Sequence, residues 1–141
     1  MSRIFWDSML FIYMVEDDAQ FAPIVRDVLG RCFRRGDSLH TSHLSIAETL
    51  VGIPRKSEKE ARFLSVLDEM EFSFVEFGSN AVEPFRILRK EFGLKPPDAL
   101  NLSCAAAIQA DMYLTNDTEL LKKKLHVPGI DFIADFKRAP L

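Results

Sequence analysis

Cysteine and histidine are scarce in this chain of 141 residues, and basic residues are outnumbered by acidic ones. Its two cysteines, Cys32 and Cys104, cannot build a disulfide framework, and neither has metal-ligand spacing. Both fall on apolar helical faces and read as reduced core thiols of a cytosolic protein. Of the three histidines only His40 and His43 approach a predicted strand end. All three, His126 included, read as structural or surface residues, so a histidine general base is not expected. No apolar run approaches membrane-spanning length, and no charged-then-apolar leader precedes the first predicted strand, which points to the cytoplasm and away from a membrane. No repeat, low-complexity tract or linker breaks the sequence. One domain over residues 1–141 is expected, long enough to bury a core. The chain also lacks a basic excess: the net charge is −3, with a pI near 5.6. Proteins that bind nucleic acid by phosphate neutralisation alone are normally basic.

Apolar side chains are plentiful, at 48% of the sequence with 12 phenylalanines. Arg3 to Trp6 reads as a short strand, and Met9 to Val15 as a helical turn or two. Phe21, Ile24, Val25, Val28, Leu29, Cys32 and Phe33 recur at helical spacing, with Gly36 just past the end. Residues 38–43 predict a second strand, and Ile46 to Val51 a short helix that Pro54 stops. Ser57 and Glu60 form a capping box ahead of a helix whose apolar face is Phe63, Val66, Leu67 and Met70. Residues 72–77 alternate as a strand does, and Ala81, Phe85, Leu88 and Phe92 give another amphipathic helix ended by Gly93. Residues 98–110 are alanine-rich and almost wholly apolar, the pattern of a helix buried against a sheet. A strand at 112–115, a helix at 117–125 and a last strand near 130–133 follow. Alternating strands and helices imply an α/β fold, with a five-stranded mostly parallel sheet, about seven helices in three α/β/α layers, and the first strand at the centre.

Four acids occupy special places in this pattern. Asp7 closes the first strand, Glu48 lies in the short helix after the second, Asp98 follows Lys95-Pro96-Pro97, and Asp117 follows Met112 to Asn116. In open parallel sheets sites form at the carboxyl ends of the strands. Singly, Asp117 reads as a helix cap and Asp98 as a first-turn acid suited to the helix dipole. Glu48, inside a short apolar helix, and Asp7, straight after Ile4-Phe5-Trp6, are harder to explain so simply, because burial without a partner is costly. Converging carboxylates repel unless cations neutralise them, and an all-oxygen donor set suits Mg²⁺ or Mn²⁺ over zinc. Such a set points to metal-dependent phosphodiester chemistry. Two bound divalent ions would also offset part of the acidity, so the net charge is only a weak argument against a polyanionic substrate.

The blocks Ile4-Phe5-Trp6-Asp7-Ser8, Thr41 to Glu48, Pro97-Asp98-Ala99-Leu100 and Leu114-Thr115-Asn116-Asp117 occur in an order and spacing that resemble the PIN-domain nucleases, and among them the VapC-type toxins of toxin–antitoxin pairs. The resemblance covers nearly the whole chain. It implies that Asp7, Glu48, Asp98 and Asp117 are catalytic metal ligands for Mg²⁺ or Mn²⁺, that Thr115 and Asn116 line the pocket and orient carboxylates or water, and that Ser8 does likewise beside Asp7. The family often has a second small polar residue two positions after its first Asp, where this chain has Met9. The implied activity is hydrolysis of RNA by a metal-activated water, and the implied partner an antitoxin protein.

Basic residues cluster as Arg31/Arg34/Arg35, Arg55/Lys56, Arg86/Arg89/Lys90 and Lys122/Lys123/Lys124. Most read as solvated helix faces. Arg55 and Lys56, soon after the Glu48 helix, are the expected RNA contacts. The apolar crowd of Phe5, Trp6, Met9, Phe11, Ile12, Tyr13 and Met14 is a large load for one small sheet, which predicts that some of it reaches the surface and is covered in a homodimer. Two alternatives compete. Tyr13 to Asp18, with Lys95-Pro96, imitates a two-component receiver, a phosphoacceptor domain, but the strand 72–77 lacks the aspartate a receiver would phosphorylate. The other is a PIN-like module that binds RNA or protein without cutting.

Overall fold

The computed structural model describes every residue except 124–126 and 131–132. Its centre is β1 (Arg3–Trp6), whose three apolar residues alternate between two cores. Ile4 and Trp6 enter one layer and Phe5 the other, as the period of a strand buried on both faces requires. β4 (Met112–Thr115) does the same, with Met112 and Leu114 on one side and Tyr113 on the other. The sheet runs β3-β2-β1-β4-β5, with β2 at Ser38–Ser42, β3 at Ser73–Val75 and β5 at Ile133–Asp135. All four pairings are parallel, with Ile4 opposite Leu39, Phe5 opposite Tyr113, Thr41 opposite Phe74 and Leu114 opposite Ala134.

Helices cover both faces. α1 (Ser8–Val15), α2 (Ala22–Arg35), α3 (His43–Val51) and α4 (Glu58–Glu69) build the first core through Leu10, Phe11, Val25, Val28, Phe63 and Leu67. α5 (Ser79–Lys90), α6 (Pro96–Ala107) and α7 (Thr118–Lys122) build the second through Leu88, Leu102, Ala105 and Leu120. Trp6, Phe11 and Phe72 meet edge-on or tilted at 5.2–5.3 Å between ring centroids. Each such fully buried ring is worth roughly 1.5–3 kcal/mol. The three layers therefore follow from strands with two apolar faces and helices with one.

Several boundaries differ from expectation for local reasons. α3 begins at His43 instead of Ile46, because Ser42 turns from strand to N-cap and its hydroxyl accepts from the Ser45 N–H at 3.1 Å. α6 begins at Pro96 instead of Asp98, since two prolines suit the first helical positions, where no N–H is needed. In the capping box Ser57 accepts from the Glu60 N–H as expected, but the Glu60 carboxylate reaches the Lys56 N–H instead of the Ser57 one. The last strand lies at Ile133–Asp135, not 130–133, because residues 127–130 turn with Ile130 N–H on the Val127 carbonyl. The expected end of the 117–125 helix, Lys124 and His126 lie outside the described residues.

The receiver reading fails here, because Tyr13 to Val15 end a helix instead of a strand. Of the apolar crowd, Phe5, Trp6 and Phe11 are fully buried, Ile12, Tyr13 and Met14 are half-buried, and Met9 is exposed. Among the described residues no helix is long and apolar enough to cross a membrane.

Candidate metal centre

The chain runs outward from β1 through β2 to β3, then returns to the other flank of β1 for β4. That reversal makes β1/β4 the switch point of the sheet, where a crevice opens at the strand carboxyl ends. Asp7 stands directly after β1, with its N–H on the Leu114 carbonyl at 3.0 Å. It caps α1: Oδ1 accepts from the Ser8 N–H at 2.7 Å and, more weakly, from the Ser8 hydroxyl at 3.4 Å. Oδ2 accepts from Thr115 Oγ1 at 2.8 Å. Burial raises the Asp7 carboxyl above its ordinary value, the Thr115 and Ser8 bonds oppose this, and Asp117 adds repulsion. A carboxylate only 7% exposed is thus held by donors from the start of α1 and the end of β4.

Asp117 caps α7, with Oδ1 accepting from the Glu119 and Leu120 N–H groups at 3.0 and 3.2 Å. Its own N–H donates to Thr115 Oγ1 at 3.0 Å. One buried hydroxyl, that of Thr115, therefore links the residues that follow β1 and β4. Asp117 is a cap, as the simple reading held, but among the described residues its Oδ2 accepts no hydrogen bond. Asp98 sits in the first turn of α6, half-buried. Burial raises its carboxyl, then Asp117 and Asp7, while Lys95 and Lys123 pull it back. Glu48, on the exposed side of α3, is raised by partial desolvation, then by Asp7 and Asp98, and lowered by the Ser8 hydroxyl. Beneath them Tyr113 is buried and stacked on Phe5 at 5.4 Å, and its phenol is pushed well up by burial and then by all four acids. Four carboxylates from four separate segments act on one another and on one ring.

The second helix layer carries a polar seam that the sequence reading passed over. Asn101 Oδ1, 3% exposed, accepts from the Ser42 hydroxyl at 2.5 Å and from the Ser45 hydroxyl at 3.4 Å. The seam ties α3, which bears Glu48, to α6, which bears Asp98. Asn101 was visible in the sequence as a lone amide in an apolar helix. Asn116 differs from its expected role. Its Nδ2 donates to the Tyr13 hydroxyl at 2.8 Å and its Oδ1 accepts from Lys137 at 2.9 Å, so both ends of the amide are engaged away from the acids. Arg55 and Lys56 are exposed in the α3–α4 connection, and among the described residues neither side chain bonds a carboxylate. Lys95 and Lys123 instead line, with Asp98 and Asp117, a cleft of about 390 Å³. A larger groove of about 590 Å³, between α1, α2 and α4, includes none of the four acids. Chemistry, not volume, picks out the cleft.

An all-oxygen donor set suits a hard divalent ion such as Mg²⁺ or Mn²⁺. Among the described residues no three His, Cys, Asp or Glu already form a ready-made cage.

A PIN-domain family model matches residues 4–124. No curated protein sequence matches. Among solved structures, the chain is similar to one from VapBC2 of Rickettsia felis bound to a promoter DNA fragment, with 20% identity, a TM-score of 0.67, and 94% of this chain and 99% of that one covered. A chain of a toxin–antitoxin complex from Klebsiella pneumoniae aligns at 21% identity and a TM-score of 0.64, over 90% and 94%. One from VapBC-5 of Mycobacterium tuberculosis aligns at 17% and 0.58, over 94% and 98%.

Proposed function

The chain belongs to the PIN-domain family, and on that premise we propose that it is a divalent-metal-dependent endoribonuclease, the toxin of a toxin–antitoxin pair acting in the cytoplasm. The observation that carries the reading is that Asp7 and Asp117 share the Thr115 hydroxyl at the switch point of a parallel sheet, with Asp98 in the same cleft as Asp117. A structural cap or surface acid has no reason to gather three others.

In this reading the four carboxylates hold Mg²⁺ or Mn²⁺, which supplies an activated water and offsets charge on the phosphoryl group and leaving oxygen. Thr115 keeps Asp7 and the Asp117 backbone in fixed relation, and Ser8 braces Asp7 on its other side while its hydroxyl bears on Glu48. Tyr113 and Phe5 are buried and stacked on each other, and Asp98 and Asp117 open onto the cleft. The similar solved chains come from complexes with antitoxins. We extend that partner class to this protein, together with a homodimeric state that light scattering would reject by returning a mass of 16.1 kDa.

The deciding assay follows cleavage of a single-stranded RNA with Mn²⁺, with Mg²⁺ and with EDTA. Cleavage in either metal and none in EDTA is expected. Intact RNA under all three conditions, with the protein folded and binding RNA, would leave a PIN module that binds without cutting.

A further inference from the structure

The cleft beside Asp98 and Asp117 presents a problem for any polyanion, since its nearest charges are negative. Its rims carry the remedy. Lys95 stands at the N-cap of α6 and Lys123 just past α7, and both are exposed and line the same 390 Å³ cleft as the two acids. We propose that Lys95 and Lys123 form a subsite that grips a backbone phosphate of single-stranded RNA next to the bond being cut. This rests on the nuclease reading above.

The start of α6 cannot do the work of these lysines. Helix N-termini bind anions through free N–H groups, but Pro96 and Pro97 occupy the first two positions of α6 and have none, and the Ala99 N–H is already on the Lys95 carbonyl at 3.0 Å. Positive charge there has to come from side chains. Lys123 is preset: its Nζ donates to the Phe92 carbonyl at 3.2 Å, which holds the ammonium against the α5–α6 loop. The same loop is fixed from below by Arg89, whose Nη1 donates to the Leu94 carbonyl at 2.9 Å, one residue before Lys95. Both lysines line the same cleft as Asp98 and Asp117, so a ligand in that cleft meets all four side chains. When cations neutralise the acids, the lysines are left as surplus positive charge at the cleft mouth. An exposed ammonium is a compact, hydrated point charge, suited to a phosphate oxygen and indifferent to base identity. The grip should therefore set affinity and strand position without setting sequence. It also moves the substrate contact away from Arg55 and Lys56.

The test measures binding of a fluorescent single-stranded oligoribonucleotide by anisotropy, with Ca²⁺ in place of Mn²⁺, across a series of salt concentrations. Three proteins are compared with wild type: Lys95→Gln/Lys123→Gln, Lys95→Arg/Lys123→Arg, and Lys59→Gln/Arg62→Gln in the distant groove. The glutamine pair should weaken binding about tenfold and lower the log–log salt slope by about 0.7, the value for one phosphate contact on a single strand. The arginine pair, which keeps the charge, should hold affinity within about twofold. With Mn²⁺, the glutamine pair should lose cleavage mainly through KM. An unchanged affinity and salt slope in the glutamine pair, an equal loss in the distant pair, or a wild type that does not bind RNA overturns the subsite. A wild type that binds, and loses binding with the glutamine pair, yet never cleaves RNA keeps the subsite and removes the nuclease.

Discussion

At the scale of single residues, the four acids do different jobs besides the one proposed for them in common. Asp7 and Asp117 cap helices, while Asp98 and Glu48 make no described hydrogen bond to the backbone. Asp98→Asn is therefore expected to abolish Mn²⁺-dependent RNA cleavage and leave the metal-free melting temperature equal or higher. Full activity at matched protein and Mn²⁺ concentrations would remove Asp98 from the site. Protons should compete with metal here. The carboxyls of Asp7, Glu48 and Asp98 all hold their protons more tightly than their ordinary values of 3.8, 4.5 and 3.8. An acid whose folded pKa is raised contributes stability that is complete below its unfolded value and is lost as pH rises through the folded one. In EDTA these three groups should make the melting temperature fall as pH climbs out of the ordinary carboxylate range towards neutrality. Asp17, lowered by Arg26, has the opposite sign, but it is exposed and its weight is small. With Mn²⁺ present the stabilising shift should grow over the same window, because the ligands must be deprotonated to bind. A Mn²⁺-induced shift that does not change with pH would contradict this.

At the scale of elements, the strands were the easiest part of the sequence to read. β1 and β4 are flanked by neighbours on both sides and covered on both faces, so every apolar residue in them is committed to a core. β5 is an edge strand of three residues with one fully buried side chain, Ala134, and little in the sequence marks its start. The acids could be placed because strand ends and helix starts are properties of the local chain. Lys95, Lys123 and Asn101 could not, because their importance arises only when α6 meets α7 or α3, and local periodicity is silent on that meeting. Asn101 carries a prediction of its own. Asn101→Ala removes the shared acceptor of Ser42 and Ser45 and leaves two hydroxyls without it between α3 and α6. An unmet buried polar group costs about 1–3 kcal/mol, so the melting temperature should fall by roughly 3–10 °C. Since the seam spans the elements that carry Glu48 and Asp98, the Mn²⁺-induced shift in melting temperature should shrink as well. A variant that loses stability but keeps the full metal shift would make the seam a packing feature only.

For the molecule as a whole, the proposed reading makes the metal-free site a source of strain that metal would relieve. Binding to the folded state alone contributes roughly 2.7 kcal/mol at a hundredfold excess over Kd. For a domain of this size that is on the order of 5–10 °C in melting temperature. Asp117→Asn keeps a side-chain oxygen for the Glu119 and Leu120 N–H groups, and Asn caps about as well as Asp. It should therefore leave the metal-free protein as stable or more so and reduce the Mn²⁺ shift. A large loss of metal-free stability with the full shift retained would make Asp117 structural and the four-acid site wrong. The arrangement of the sheet has a consequence for synthesis. The strand at its centre is made first, but one of that strand's two neighbours, β4, lies more than a hundred residues later. A chain still growing on the ribosome, even with Asp7, Glu48 and Asp98 already outside, lacks both the Thr115 hydroxyl and the fourth carboxylate. On the proposed reading, an unfinished copy is harmless to the RNA that encodes it, and the blade is assembled only once β4 and the residues just after it have been made.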